Sequence, residues 1–282
     1  MSGLHILPQF IMIGAVKAAT SWLAFQLRHN PALFLPPIEP HFFSVKFRQG
    51  FSWYSQFFRE AGAGQLPGEK STDYLAHPDA ARRIAELLPD IPLIVQLRNP
   101  VDRAYSEYRM QLRHGLLKGP PEDHLTPSNA SVPPILDDGL YFHHLKRWMN
   151  HFPRSQIKIL LHDDIRERPV WVMEEVCAHL GVPFHFVEVR REKADEKVDE
   201  QSLHPHRLHH LWRPVHQAVR RLHGNRLFEA ARSKLGRPPY CPPLSADLRA
   251  HLEEFYAPEV DRLGKLIRRD LSPWLPAARK AA

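Results

Sequence analysis

The stretch "FIMIGAVKAATSWLAFQL" (residues 10–27) decides how the whole chain is read. A short apolar run ends at Gly14. A single lysine follows at Lys17, then two alanines, Thr20 and Ser21, and then apolar residues at helical spacing that close on Asn30-Pro31. This is the pattern of a buried strand feeding a tight turn into a helix. Such a turn presents backbone N–H groups at the positive end of a helix and is a natural anion seat. It is not the usual triphosphate loop, in which a Gly-Lys pair directly precedes the hydroxyl residue. Here Lys17 stands three residues before Thr20, and Ala18-Ala19 occupies the place of the second glycine.

Outward from this unit the same rhythm recurs. "ALFLPP", "IPLIVQL" and "QIKILLHDD" read as further strands, the first of them short. "DAARRIAELLP", "PVDRAYSEYRMQLRHG", "LYFHHLKRWMNHF" and "PVWVMEEVCAHLGV" read as helices, with Pro100 suited to a first helical position and Gly181 to a stop. The last long helix is "SADLRAHLEEFYAPEVDRLGKLI", with Ser245 as its N-cap and Leu248, Leu252 and Phe255 as an apolar stripe. Strands alternating with helices predict a P-loop-like α/β fold of three layers, a central parallel sheet flanked by helices, with ligands beyond the strands' C-terminal ends. The 282 residues are read as a single domain. Two segments break the rhythm. Residues 114–139 are rich in Pro, Gly, Ser and Asn and read as a loop or lid. Residues 202–240 read as an irregular basic helical insertion that ends in a loop.

Composition narrows the class. Lys and Arg exceed Asp and Glu by 38 to 31, and much of the excess is local. Residues 202–240 carry Arg207, Arg213, Arg220, Arg221, Arg226, Arg232, Lys234 and Arg237 against Glu229 alone. This zone fits an anionic ligand, a nucleic acid or an acidic surface; the plain alternative is a solvated helical face. No stretch approaches the roughly 20 apolar residues of a membrane span, and residues 1–10 lack the pattern of a signal peptide. Cys177 and Cys241 form no disulfide framework, and Cys177 reads as a buried, inert thiol. The expected location is the cytoplasm.

Three places carry chemistry. The first is the loop of Lys17, Ala18, Ala19, Thr20 and Ser21. The second is "LRNPVDRAYSEY", where Arg98 ends a strand and Ser106 lies one to two turns into the next helix. An arginine fork and a hydroxyl suit a phosphate, and Arg103 and Arg109 are expected at the surface. Anion subsites on neighbouring strand ends fit a nucleoside with phosphates at both ends. The third is "IEPHFFS", in which Glu39 and His41 precede Phe42 and Phe43. A carboxylate packed beside aromatic rings is expected to have a raised pKa and to serve as a general base; otherwise this is a surface Glu and a capping His. No acidic strand end offers itself to magnesium, so no metal ligand is assigned.

Taken together and in this order, "KAATS", "EPHFF" and "RNPVDRAYSEY" resemble the sulfotransferases that use 3′-phosphoadenosine 5′-phosphosulfate (PAPS), in particular the branch of heparan sulfate 3-O- and N-sulfotransferases and bacterial carbohydrate sulfotransferases. "GEKSTDYL", the segment from "GLYFHHL" to "LLHDDI" and the closing "LGRPPYCPPLSADLRAHLEEFY" extend the resemblance over nearly the whole chain. It implies that Lys17 meets the leaving phosphate and that Ala18, Ala19, Thr20 and Ser21 hold the 5′-phosphate. Arg98 and Ser106 would hold the 3′-phosphate, Glu39 would be the base, and His41 and Lys70 would serve the acceptor and the sulfuryl group. Gly236 and Arg237 would close over the nucleotide, with Lys234 one place early relative to the family's pattern. Ser44 stands where carbohydrate-specific members often carry an acid. The implied reaction is metal-independent sulfuryl transfer from PAPS to a hydroxyl or amine of a carbohydrate, glycolipid or small metabolite, leaving 3′-phosphoadenosine 5′-phosphate (PAP). No nucleic acid is implied, and the oligomeric state is left open. The rivals are an ATP-dependent P-loop kinase and a non-catalytic polyanion or nucleic-acid binder.

Overall fold

The computed structural model describes residues 6–127, 132–188 and 240–276. Five parallel strands form one sheet: β1 (Phe10–Gly14), β2 (Leu33–Phe34), β3 (Leu66–Lys70), β4 (Leu93–Leu97) and β5 (Ile157–Leu161), in the order β2-β3-β1-β4-β5. Among the described residues the helices are α1 (Thr20–His29), α2 (Phe51–Ser55), α3 (Ala80–Leu87), α4 (Pro100–Arg113), α5 (Glu122–Leu125), α6 (Pro134–Asp137), α7 (Tyr141–Met149), α8 (His162–Glu167), α9 (Pro169–Leu180) and α10 (Ala246–Ile267).

Alternation along the strands builds the three layers. Phe10, Met12, Ile94 and Leu160 face one side, where they pack with Leu23, Ala24 and Leu27 of α1 and Val172, Met173, Val176 and Cys177 of α9. Ile11, Ile13, Leu93, Val95 and Leu97 face the other, against Ile84 of α3, Val101 and Tyr108 of α4, Leu145 and Trp148 of α7 and Leu252 of α10. The central strands are therefore apolar on both faces, as a parallel sheet covered on both sides requires. The expected α/β architecture is the observed one.

β3 is the strand that apolar patterning does not announce. Its sequence is LPGEK, yet four of its five residues are buried. Gly68 makes this pairing feasible, because a Cβ there would lie 2.1 Å from the Phe10 ring. β2 contracts to two residues. Residues 114–139 are not a free lid where described, because α5 and α6 bury Leu125, Ile135 and Leu136 in the core. Arg103, expected at the surface, is fully buried. The inward face of α4 packs on α6, and the Arg103 guanidinium donates there to Glu107 and to the Ile135 carbonyl. Arg109 is exposed.

Candidate active site

Strands β3, β1 and β4 lie side by side, and each ends in a segment singled out by sequence. Gly14 closes β1 with φ 138°, and a Cβ there would meet the Thr72 carbonyl at 2.7 Å, so the turn after β1 lies directly against the turn after β3. Gln96 of β4 fixes the other flank: its carbonyl accepts the Ala15 N–H at 2.8 Å, and its amide donates to the Ala19 carbonyl at 3.4 Å.

The turn itself has unusual backbone for its residues. Lys17 (φ 62°) and Ala19 (φ 64°) both occupy the left-handed region without being glycine. Ala19 is the N-cap of α1 and provides no side-chain hydrogen bond. By contrast, Asn99 caps α4 by accepting from the Val101 and Asp102 N–H groups, and Ser245 caps α10 by accepting from the Leu248 N–H. The N-terminus of α1 thus keeps its first-turn donors and dipole directed outward. Ala18 departs from its assigned role, since its N–H turns inward to the Ala15 carbonyl at 3.3 Å and its side chain is buried. Arg98, just after β4, donates to the Lys17 carbonyl at 3.3 Å, so its guanidinium joins the same turn. Ser106 is half-buried in the second turn of α4.

On the β3 side, Glu39, His41 and Lys70 come together. Lys70 Nζ lies 2.9 Å from Glu39 Oε1, while Glu39 Oε2 accepts from both the Thr72 N–H and the Thr72 hydroxyl at 3.0 Å. His41 Nε2 stands 3.8 Å from the same Oε2, and its Nδ1 lies 2.7 Å from Asp73 Oδ1. Arg28 donates to the Leu35 and Pro36 carbonyls, and Arg83 donates to those of Phe43 and Ser44, so both ends of the segment bearing Glu39 are tied down.

Electrostatics here run against one expectation. Burial would raise the Glu39 pKa, but the charges of Lys70 and His41 and the Thr72 N–H outweigh it and hold the carboxyl below its ordinary range. The aromatic neighbours do not enclose it: Phe42 and Phe43 turn into the core, at 1% and 0% exposure. Glu39 is thus an ion-paired carboxylate, not a surface residue. For His41, burial lowers the pKa, but the Asp73 hydrogen bond and charge, with Glu39, bring it above its ordinary value.

Sequence reasoning missed Thr72 and Asp73, although "GEKSTDYL" contains both, because β3 itself was not legible. It also missed Glu69, fully buried beneath this cluster. Burial pushes the Glu69 carboxyl up to about 8, only partly offset by the Tyr54 and Tyr74 hydroxyls and His41. Unfolded, it titrates near 4.5, so between those two values the folded chain holds a proton that the unfolded chain has lost. Stability therefore falls as pH rises across that window. Glu69→Gln is expected to raise stability at about pH 8 by on the order of 3 kcal/mol, with the gain vanishing near pH 4. Denaturant midpoints of both proteins at the two pH values check this. Gly236, Arg237 and Lys234 lie outside the described residues.

The turn after β1 and the carboxylate–lysine pair both lie within a stretch of chain that known proteins share. The family model for the sulfotransferase domain matches residues 8–207. This chain belongs to the sulfotransferase family. Heparan sulfate glucosamine 3-O-sulfotransferase 3B1 of Mus musculus is 33% identical over 189 residues, 64% of this chain and 48% of that protein. Bifunctional heparan sulfate N-deacetylase/N-sulfotransferase 3 of Mus musculus is 30% identical over 298 residues, 95% of this chain and 31% of that protein. The chain therefore spans about half or less of the length of these relatives. The crystal structure of a sulfotransferase from Alicyclobacillus acidocaldarius superposes with a TM-score of 0.69 at 27% identity, covering 95% of this sulfotransferase and 99% of that chain. Family membership favours sulfuryl transfer over the kinase and polyanion-binding readings. No helix among the described residues is long and apolar enough to cross a membrane.

Proposed function

We propose that this sulfotransferase moves a sulfuryl group from PAPS to a hydroxyl or amine of a carbohydrate, glycolipid or small-metabolite acceptor, in line and without a metal ion. The observation that carries the reading is the junction of two turns. The uncapped N-terminus of α1, bearing Lys17, abuts the turn whose Thr72 holds Glu39. One turn suits an anionic donor and the other places a carboxylate for the acceptor.

The residues present fit the donor. Small side chains at Ala18 and Ala19 let the backbone approach an anion closely, and the N–H groups of Ala19, Thr20 and Ser21 with the two hydroxyls would hold the 5′-phosphate. Arg98 and Ser106 would hold the 3′-phosphate. Bound there, PAPS supplies the activated sulfuryl group. Lys17 neutralises charge as it develops on the bridging oxygen. Glu39 takes the acceptor proton, and Lys70, already paired with Glu39, would serve the sulfuryl group and the acceptor. Gly236 and Arg237 complete the donor site in this reading. A cytoplasmic site of action is part of the same proposal. It is supported by two free cysteines, one of them buried, and is checked by cell fractionation.

The test is calorimetry with PAP followed by a PAPS-coupled screen of hydroxylated acceptors. Binding without turnover on any acceptor would reject the transferase reading. Arg98→Ala is expected to weaken PAP binding by about 10–100-fold, the worth of a charge-assisted hydrogen bond. The same titration checks it, and an unchanged affinity would remove Arg98 from the donor site.

A further inference from the structure

Three consecutive residues after β3 hold the turn that carries Glu39 and His41. Ser71 Oγ accepts the His41 N–H at 2.9 Å, Thr72 donates twice to Glu39, and Asp73 Oδ1 accepts from His41 Nδ1 at 2.7 Å. His41 has φ 50°, a left-handed backbone that a non-glycine residue keeps only where its surroundings over-determine it. The contacts that do so are visible: besides the Ser71 bond, the His41 carbonyl accepts from Ser44 Oγ at 3.1 Å and from the Lys46 N–H at 3.0 Å. Backbone and ring are both held, the ring by Asp73 at Nδ1.

We propose that Asp73 is a positioning residue for sulfuryl transfer, acting through His41 by committing Nδ1 and so aiming Nε2 at Glu39 and the acceptor. A carboxylate on one imidazole nitrogen keeps the proton there and sets the orientation of the other. The 3.8 Å between Nε2 and Glu39 Oε2 is just beyond a direct hydrogen bond, so the two groups address one space without locking each other. The titratable groups around the ring are Asp73, Glu39 and buried Glu69, with Lys70 on the far side of Glu39. Burial opposes a charged imidazole, and the Asp73 bond is the largest effect favouring it. With Asp73 in place, His41 stays cationic to higher pH and orients an acceptor oxygen toward Glu39. Asp73 itself is held ionised against burial by His41.

This inference rests on the sulfotransferase reading of the site, and the experiment separates the two. Asp73→Asn keeps an acceptor for Nδ1–H but removes the charge; Asp73→Glu restores the charge at altered reach. NMR titration of the imidazoles in the full chain, with His41 assigned from the spectrum of His41→Gln, is expected to show the His41 midpoint lowered by about one pH unit or more in Asp73→Asn. With the best acceptor of the screen, kcat is expected to fall about 10–100-fold with KM for PAPS little changed, the alkaline limb of the kcat profile moving down with the midpoint. Asp73→Glu is expected to recover part of both. An unmoved His41 midpoint, or an unmoved kcat profile, would overturn the assignment. If wild type fails to bind PAP, the sulfotransferase reading fails instead, while the titration still decides whether Asp73 governs His41.

Discussion

Lys17→Ala is expected to lower kcat by at least about 10²–10³-fold while leaving the fold and most PAP affinity in place. The residue lies in the turn between β1 and α1, and its carbonyl receives Arg98. The left-handed backbone of the turn does not itself call for a lysine. Alanine already adopts the same left-handed backbone two residues later, at Ala19. In the proposed mechanism the side chain meets charge that appears only as the bridging bond breaks, which is why the loss is expected to fall on kcat. Steady-state kinetics paired with PAP calorimetry measures both quantities. Turnover within about threefold of wild type would mean that the leaving group is neutralised elsewhere, with Arg98 the next residue to examine.

Glu39→Gln is expected to cost about 10²–10⁴-fold in kcat. A carboxylate held below its ordinary pKa is a weak resting base, so in the proposed mechanism it takes the acceptor proton only as bond formation to sulfur makes that proton acidic. The low pKa has a visible corollary. The acid limb of the kcat profile is expected to lie below the usual carboxylate range, because Lys70, His41 and the Thr72 donors stabilise the ionised form. Glutamine retains the shape and one acceptor for Thr72, but it loses the charge that Lys70 neutralises. Near wild-type turnover in this variant would sink the base assignment, and a pH–rate profile would then show whether His41 takes the role.

The legible part of this chain was the part written in apolar periodicity. β1, β4 and β5, and the helices of residues 20–29, 80–87, 100–113, 141–149, 169–180 and 246–267, follow from spacing and from start and stop residues such as Pro100, Gly181 and Ser245. β3 escaped because LPGEK has no alternation to read; only Phe10 seated against Gly68 explains its place, and that contact joins residues far apart in sequence. The same gap hid Thr72 and Asp73. Arg103 looked like a surface cation because, although Glu107 stands four residues on in the same helix, the Ile135 carbonyl reaches it only once α6 folds onto α4. The pKa direction at Glu39 depended on which neighbour arrived: sequence offered the adjacent Phe42 and Phe43, and folding supplied Lys70.

The two left-handed residues of the donor turn set a selective pressure of their own. Holding Ala19 at φ 64° costs about 1–2 kcal/mol that glycine would not. Glycine would also let the turn wander before the nucleotide arrives, and ordering it would then be charged against affinity. Heat tolerance and donor affinity therefore pull in opposite directions at residue 19. Laboratory evolution that rewards only survival at high temperature would drift toward glycine there, and selection on turnover at scarce PAPS would keep the alanine.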